Sequence, residues 1–241
     1  MKYNFLNTSK KVILSLAVTS SLLLGTNYPE TLAKVDFDQR IAEAQAWADN
    51  NFKVPDSLTN EEKQQINRYT GSTYDAINSY LLTNNGLGSD NKLNGFIDKI
   101  TSGISKSKAP DDLTLYRRVT EKQFGLEYGD LRTPGGNGNI NIPAYEKIKE
   151  AFTGKIITHH NFMSTSLAKD PHKSFGDRQA ILLKINAPRN TEVLNVSSIS
   201  KYPEQLELLV NRGYRIRYNN FSIIKSGIKE YVEVDVDILG K

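Results

Sequence analysis

The spacing of apolar residues changes once along this chain, near residue 112, and that change limits the possible folds more than any motif does. From Phe37 to about Lys106 the spacing is helical. Phe37, Ile41, Ala44 and Ala48 form one stripe, and Leu93, Phe96, Ile97, Ile100 and Ile104 form another after "GLGSD". Between them "LTNEEKQQINRYTGSTYDAINSYLL" reads as helix, with Thr59 and Glu62 in the S/T-x-x-E pattern that caps a helix start. "KSKAPDD" closes this half. From Leu113 onward strands are predicted at "LTLYRRV", "HNFMSTS", "AILLKINA", "EVLNVS", "LELLV", "YRIRYNNFSII" and "YVEVDVDIL". The last two face each other across "KSGIK" as a hairpin. One helix, "PAYEKIKEAF", interrupts the strands, with Pro143 at its start and Gly154 past its end. The pattern predicts an α+β chain: a helical N-terminal lobe, then a mainly antiparallel β half.

The first 33 residues stand apart. Lys2, Lys10 and Lys11 precede an apolar run from Val12 to Leu24, and Thr31-Leu32-Ala33 supplies a small residue at a cleavage point. Residues 1–33 therefore read as a signal peptide and 34–241 as a single exported domain, without internal repeat or long linker. An uncleaved anchor is the alternative, although the run is short for a membrane span. The formal net charge is +4, and the leader's three lysines and one glutamate account for half of it. So mild a charge does not argue for a nucleic-acid partner. The absence of cysteine excludes thiol catalysis and thiolate metal sites, and leaves an exported chain to rely on its core.

In "LTLYRRV" strict alternation puts Leu113, Leu115, Arg117 and Val119 on one face and Thr114, Tyr116, Arg118 and Thr120 on the other. Arg117 among apolar neighbours is either an edge arginine that snorkels to water or a guanidinium set to grip a phosphate or carboxylate. In "NFMSTSL" the same alternation places Phe162, Ser164 and Ser166 on one side and Met163 and Thr165 on the other. His159 and His160 are adjacent and His172 lies in a loop, so no histidine is placed to activate a serine, and a metal site is poorly supplied. "PGGNGN" is a turn and lacks the strand-to-helix setting of a dinucleotide fingerprint. In "YPEQLELLVNR", Gln205 and Glu207 project side by side from the start of a predicted strand, while Leu206 and Leu208 point into the core.

Taken in chain order, an arginine on one strand, S-T-S on the next and Q-x-E at the head of a third form the pattern of mono-ADP-ribosyltransferase toxins. "LYRR", "FMSTSL" and "YPEQLELL" resemble the single-domain exoenzymes that inactivate Rho GTPases, most closely the epidermal cell differentiation inhibitor group. The resemblance runs from about Phe37 to the end of the chain and implies a helical lobe packed on a mainly antiparallel two-sheet β core.

The resemblance also implies roles. Arg117 matches the residue that holds the NAD phosphates, and Ser164, Thr165 and Ser166 match the strand that shapes the nicotinamide pocket and steadies the glutamate. Glu207 matches the catalytic glutamate, Gln205 the residue that orients an acceptor asparagine of Rho, and Tyr202 the aromatic of the substrate-recognition turn. Phe175 and Arg178 resemble the aromatic and arginine of a loop that closes on NAD, and Arg68 and Thr70 are a looser match to the helical lobe's NAD contacts. Pro203 and Glu204 depart from relatives that carry small residues there. The implied protein is a secreted, monomeric toxin that acts in the host cytosol without stable membrane insertion. NAD is its consumed substrate, with no retained cofactor and no metal, and a host Rho GTPase is its protein substrate. A secreted NAD glycohydrolase and a non-catalytic secreted binding module are the alternatives.

Overall fold

The computed structural model describes residues 34–136, 138–171 and 179–241. The helical half forms α1 (Ile41–Asn51), α2 (Asn60–Arg68), α3 (Tyr74–Thr83) and α4 (Asn91–Ser105). At the start of α2 the expected capping box is present. Thr59 Oγ1 accepts from the Glu62 amide at 3.2 Å, and the Glu62 carboxylate accepts from the Thr59 amide at 2.8 Å. Lys106 and Ser102 of the neighbouring helix also donate to Glu62, so the box ties α2 to α4. Burial pushes the Glu62 carboxyl upward, but these donors outweigh it and hold the group at about 2.

The helical stripes need two corrections. Phe37 is buried but lies before α1, and Ile41, at the first helical position, is exposed; only Ala44 and Ala48 of that stripe are buried helical residues. The long segment after Thr59 is also not one helix. It breaks at a π turn, Tyr69–Thr73, between α2 and α3. Gly71 in its middle weakens regular helix by about 1 kcal/mol relative to alanine, and single π turns favour functional positions.

The β half contains β1 (Leu113–Val119), α5 (Ile142–Phe152), β2 (Ile156–Thr158), β3 (Met163–Ser166), β4 (Ile181–Ala187), β5 (Val193–Asn195), β6 (Glu207–Val210), β7 (Arg215–Ser226) and β8 (Lys229–Gly240). Every predicted strand is found, and the three-residue β2 is additional. Hydrogen bonds join the strands in the order β2-β7-β8-β4-β1-β3-β6-β5. All these pairings are antiparallel except β4 with β8. Instead of two separate sheets there is one, yet the junction of its two parts is slight: β1 meets β3 through the single pair Tyr116↔Ser166. Beyond that pair the strands part, and a cleft opens between them.

The three strands past the junction are buried on both faces. Leu208 and Val210 of β6 join the core shared with α1, β1 and β4, whereas Leu209 packs with Ile66, Ile97, Ile100 and Ile104 of the helical lobe. After Glu207, β6 is therefore a continuous apolar run, Leu208–Val210, without alternation. Burying each such side chain fully contributes about 1.5–3 kcal/mol, so the head of β6 is held rigidly at the cleft.

Candidate active site

The cleft has a volume of about 500 Å³. One wall comes from the π turn and α3 (Tyr69, Thr70, Gly71, Tyr74, Asn78), the floor from β1 and β3 (Tyr116, Arg117, Arg118, Ser164, Thr165, Ser166), and the far wall from Tyr202, Gln205 and Glu207. Asp170 and Gln179 also line it. The π turn explains the first wall: it carries Tyr69 inward onto Phe162, ring centroids 5.3 Å apart, while the next residues face the opening.

Arg117 does not snorkel to water. Its Nη1 donates to the Ser164 carbonyl at 2.7 Å, and its buried Nε has no hydrogen-bond partner among the described residues. Burial pushes its pKa down, against the opposing pull of Tyr69, Glu207 and Tyr218. As alternation predicts, Arg118 leaves β1 on the face opposite Leu115 and Val119, with Tyr116 and Tyr231, yet both arginines line the cleft. Arg118 grips Asp170 with Nε at 2.8 Å and Nη2 at 2.5 Å, and its guanidinium stacks 4.6 Å from the Tyr231 ring centroid.

Glu207 is 5% exposed. Ser164 Oγ donates to its Oε1 at 2.5 Å, and Ser200 Oγ to its Oε2 at 3.4 Å. Burial raises the Glu207 pKa above the ordinary carboxylate value, an effect reduced but not reversed by Ser164, Ser200 and Arg117. Arg117 and Glu207 are thus linked through one residue, Ser164, rather than by direct contact. The other two residues of S-T-S serve the backbone: Thr165 Oγ1 donates to the Leu208 carbonyl at 2.7 Å, and Ser166 Oγ accepts from the Ala168 amide at 3.2 Å.

Gln205 and Glu207 do share the cleft, but strand alternation is not the reason. Pro203–Gln205 is a short 3₁₀ turn, Leu206 ends it in the left-handed region at φ 50°, and β6 begins only at Glu207. Leu206 is 2% exposed, and its burial in the core anchors that conformation. Tyr202 at the head of the turn is 45% exposed at the cleft mouth.

Of the remaining expected residues, Thr70 lines the cleft, whereas Arg68 is exposed on α2 and does not. Phe175 and Arg178 lie outside the described residues. Tyr69, Gly71, Tyr74, Asn78, Arg118, Asp170 and Ser200 were not anticipated. Glycine in an otherwise helical run was the one available sign of the π turn that brings Tyr69 and Gly71 to the cleft. Among the described residues no group of three or more His, Asp or Glu side chains is placed to hold a metal ion, and no helix is long and apolar enough to cross a membrane.

Residues 44–241 match the family model of the ADP-ribosyltransferase exoenzymes. The chain belongs to that family. It is 30% identical over 176 residues to the mono-ADP-ribosyltransferase C3 of Clostridium botulinum C phage, covering 71% of this chain and 68% of the relative. Among solved structures it is similar to Plx2a, an ADP-ribosyltransferase toxin from Paenibacillus larvae, with a TM-score of 0.77 and 30% identity over 86% of this chain and 100% of that one. The Clostridium limosum C3 exoenzyme gives a TM-score of 0.74 and 25% identity over 87% and 99% of the two chains. The exoenzyme is therefore a mono-ADP-ribosylating toxin of α+β fold, and NAD is its donor substrate.

Proposed function

We propose that this exoenzyme transfers ADP-ribose from NAD to an asparagine of a host Rho-family GTPase and so inactivates it. The observation that carries this reading is the convergence of Tyr202, Gln205 and Glu207 on one cleft whose floor holds Arg117. Glu207 is the catalytic carboxylate. As the bond between nicotinamide and ribose breaks, its electron pair leaves with nicotinamide and the ribose becomes oxocarbenium-like. A fixed carboxylate stabilises that charge where it develops. Arg117, on the cleft floor, binds the NAD diphosphate. Thr70 and the Ser164–Ser166 strand complete the NAD site.

An asparagine amide is a weak nucleophile and gains most from being held close to the anomeric carbon. The Gln205 side chain makes no hydrogen bond to another described residue, so its donor and acceptor are free to pair with the acceptor amide. Tyr202 gives the GTPase an aromatic contact beside it. The new bond forms between the asparagine nitrogen and the anomeric carbon, with loss of one amide proton. NAD is consumed, and no step calls for a metal or retained cofactor. In this reading residues 1–33 direct export, residues 34–241 act as one monomeric catalytic domain, and the site of action is the host cytosol.

Incubation of residues 34–241 with labelled NAD and purified Rho GTPase, followed by peptide mapping, tests the proposal. A single labelled asparagine supports it. Nicotinamide release without labelled protein would identify an NAD glycohydrolase instead, and no NAD binding would identify a binding module.

A further inference from the structure

Ser200 sits behind the cleft, not in its lining, and touches both halves of the acceptor-side wall. Its hydroxyl lies 3.4 Å from Glu207 Oε2 and accepts the Tyr202 amide proton at 3.1 Å. A carboxylate only accepts and an amide N–H only donates, so both partners select the same orientation of this hydroxyl. Its surroundings are tied down. The Ser200 amide donates to the Val196 carbonyl at 2.6 Å, the Val196 amide donates to the Glu207 carbonyl at 3.1 Å, and Asn67 Nδ2 of α2 donates to the Ile199 carbonyl at 2.6 Å. The next residue, Lys201, lies against Gly71 of the π turn so closely that a Cβ there would come within 2.7 Å of its Cδ.

We propose that Ser200 is a positioning residue that joins the Glu207 carboxylate to the acceptor turn, so that seating a protein on Tyr202 also steadies the carboxylate. This rests on the reading of Glu207 and Gln205 given above. The two hydroxyls on Glu207 then have different duties. Ser164 is at full hydrogen-bonding distance, at 2.5 Å, and holds the carboxylate whether or not an acceptor is present. The Ser200 contact, at 3.4 Å, is long against the usual 2.7–2.8 Å or so for O–H···O and has room to shorten as the turn is pressed inward. Loss of Ser200 therefore affects transfer to protein more than transfer to water. The other groups that face Glu207 are Arg117 on β1 and Tyr69 of the π turn; neither touches Ser200 by hydrogen bond, so the effect is specific to this link.

The test compares Ser200→Ala and Ser200→Thr with the wild type, each checked by a melting curve. Carbon-13 NMR titration of the Glu207 side chain needs neither NAD nor acceptor, so it judges the Ser200 link separately from the identity of the acceptor. In Ser200→Ala the carboxyl should titrate at higher pH than in wild type, and Ser200→Thr, which keeps the hydroxyl, should restore it. With both substrates, Ser200→Ala should lower protein labelling by about tenfold, the scale of one charge-assisted hydrogen bond, and NAD hydrolysis by clearly less. An unchanged titration, or equal losses in the two activities, would overturn the proposal. A shifted titration in a protein whose wild type labels no Rho would instead retain the Ser200–Glu207 link and discard the acceptor assignment.

Discussion

Ser164 donates its hydroxyl to Glu207 Oε1 at 2.5 Å, and this one contact ties the short strand β3 to the carboxylate at the head of β6. The backbone pairing Ser164↔Leu209 sets the two strands in register, and the Ser164 carbonyl receives Arg117 on the other side. Arginine, serine and glutamate are therefore positioned as one unit, although they lie far apart in sequence.

Removing that hydroxyl leaves the backbone contact to Arg117 intact. Ser164→Ala should therefore bind NAD nearly as wild type does, but turn over about tenfold more slowly, the scale of one hydrogen bond to a charged group. The acid limb of its pH profile should also move to higher pH, because Ser164 is the strongest of the groups that offset burial at Glu207. Steady-state kinetics across pH, with a melting curve, check both statements. Full activity would leave S-T-S with a structural role only.

The two neighbouring arginines should separate in an NAD titration. Arg117→Lys cannot both reach the Ser164 carbonyl and present a planar fork to a diphosphate, and should weaken NAD binding by about 1–3 kcal/mol. Arg118 already spends its fork on Asp170 and its face on Tyr231, so Arg118→Lys should lose less NAD affinity and more thermal stability. Equal or reversed affinity losses in a fluorescence titration would move the phosphate site to Arg118.

Alternation and capping, both local properties, made every long strand readable from the sequence, though not the break between α2 and α3, and the arginine, S-T-S and Q-x-E segments could be recognised in order. What could not be read depends on contacts between distant segments. Alternation places Arg118 on the face of β1 opposite Leu115 and Val119, as found, but gives no sign that both arginines line one cleft. Gln205 and Glu207 reach the same space through a 3₁₀ turn and a left-handed Leu206, a conformation uncommon for a leucine and anchored here by burial of its side chain. Pro203 was the local sign of that turn. β2, three residues long, exists by pairing with β7 and has no pattern of its own.

His159 should give the fold a measurable acid sensitivity. Burial, with Arg117 and His160 adding to it, pushes this imidazole from 6.5 down to about 4, and its Nδ1 is buried without a partner among the described residues. A folded pKa below the unfolded one means that the unfolded chain takes up the proton first. The stabilising contribution is complete above pH 6.5 and is lost as pH falls towards about 4. Glu207, with a raised pKa, acts in the opposite sense and favours the folded state as it protonates. The melting temperature should therefore fall across this range in Glu207→Gln at least as steeply as in wild type, and less steeply in His159→Gln. Parallel slopes for wild type and His159→Gln in calorimetry would show that His159 is not responsible.

Gln205 and Glu207 should separate the two halves of the reaction, since each acts on a different partner in the same cleft. Glu207→Gln keeps the size of the side chain and its ability to pair with Ser164 but removes the charge that faces the developing cation. Protein labelling and NAD hydrolysis should both fall by about a hundredfold or more, the scale of preorganised electrostatic groups. NAD binding should survive, because the diphosphate is proposed to sit on Arg117 and not on Glu207. Gln205→Ala leaves the buried carboxylate and both its serine donors in place and deletes an exposed-side amide that holds no other described residue, so the fold and the hydrolytic half should persist. Labelling of Rho should collapse, since the acceptor amide then approaches the anomeric carbon without a guide. Measuring both activities on both variants decides the matter. Loss of hydrolysis in Gln205→Ala as complete as in Glu207→Gln would mean that the two residues serve one step; undiminished Rho labelling in Gln205→Ala would remove Gln205 from acceptor recognition and leave Tyr202 as the surviving candidate on that wall.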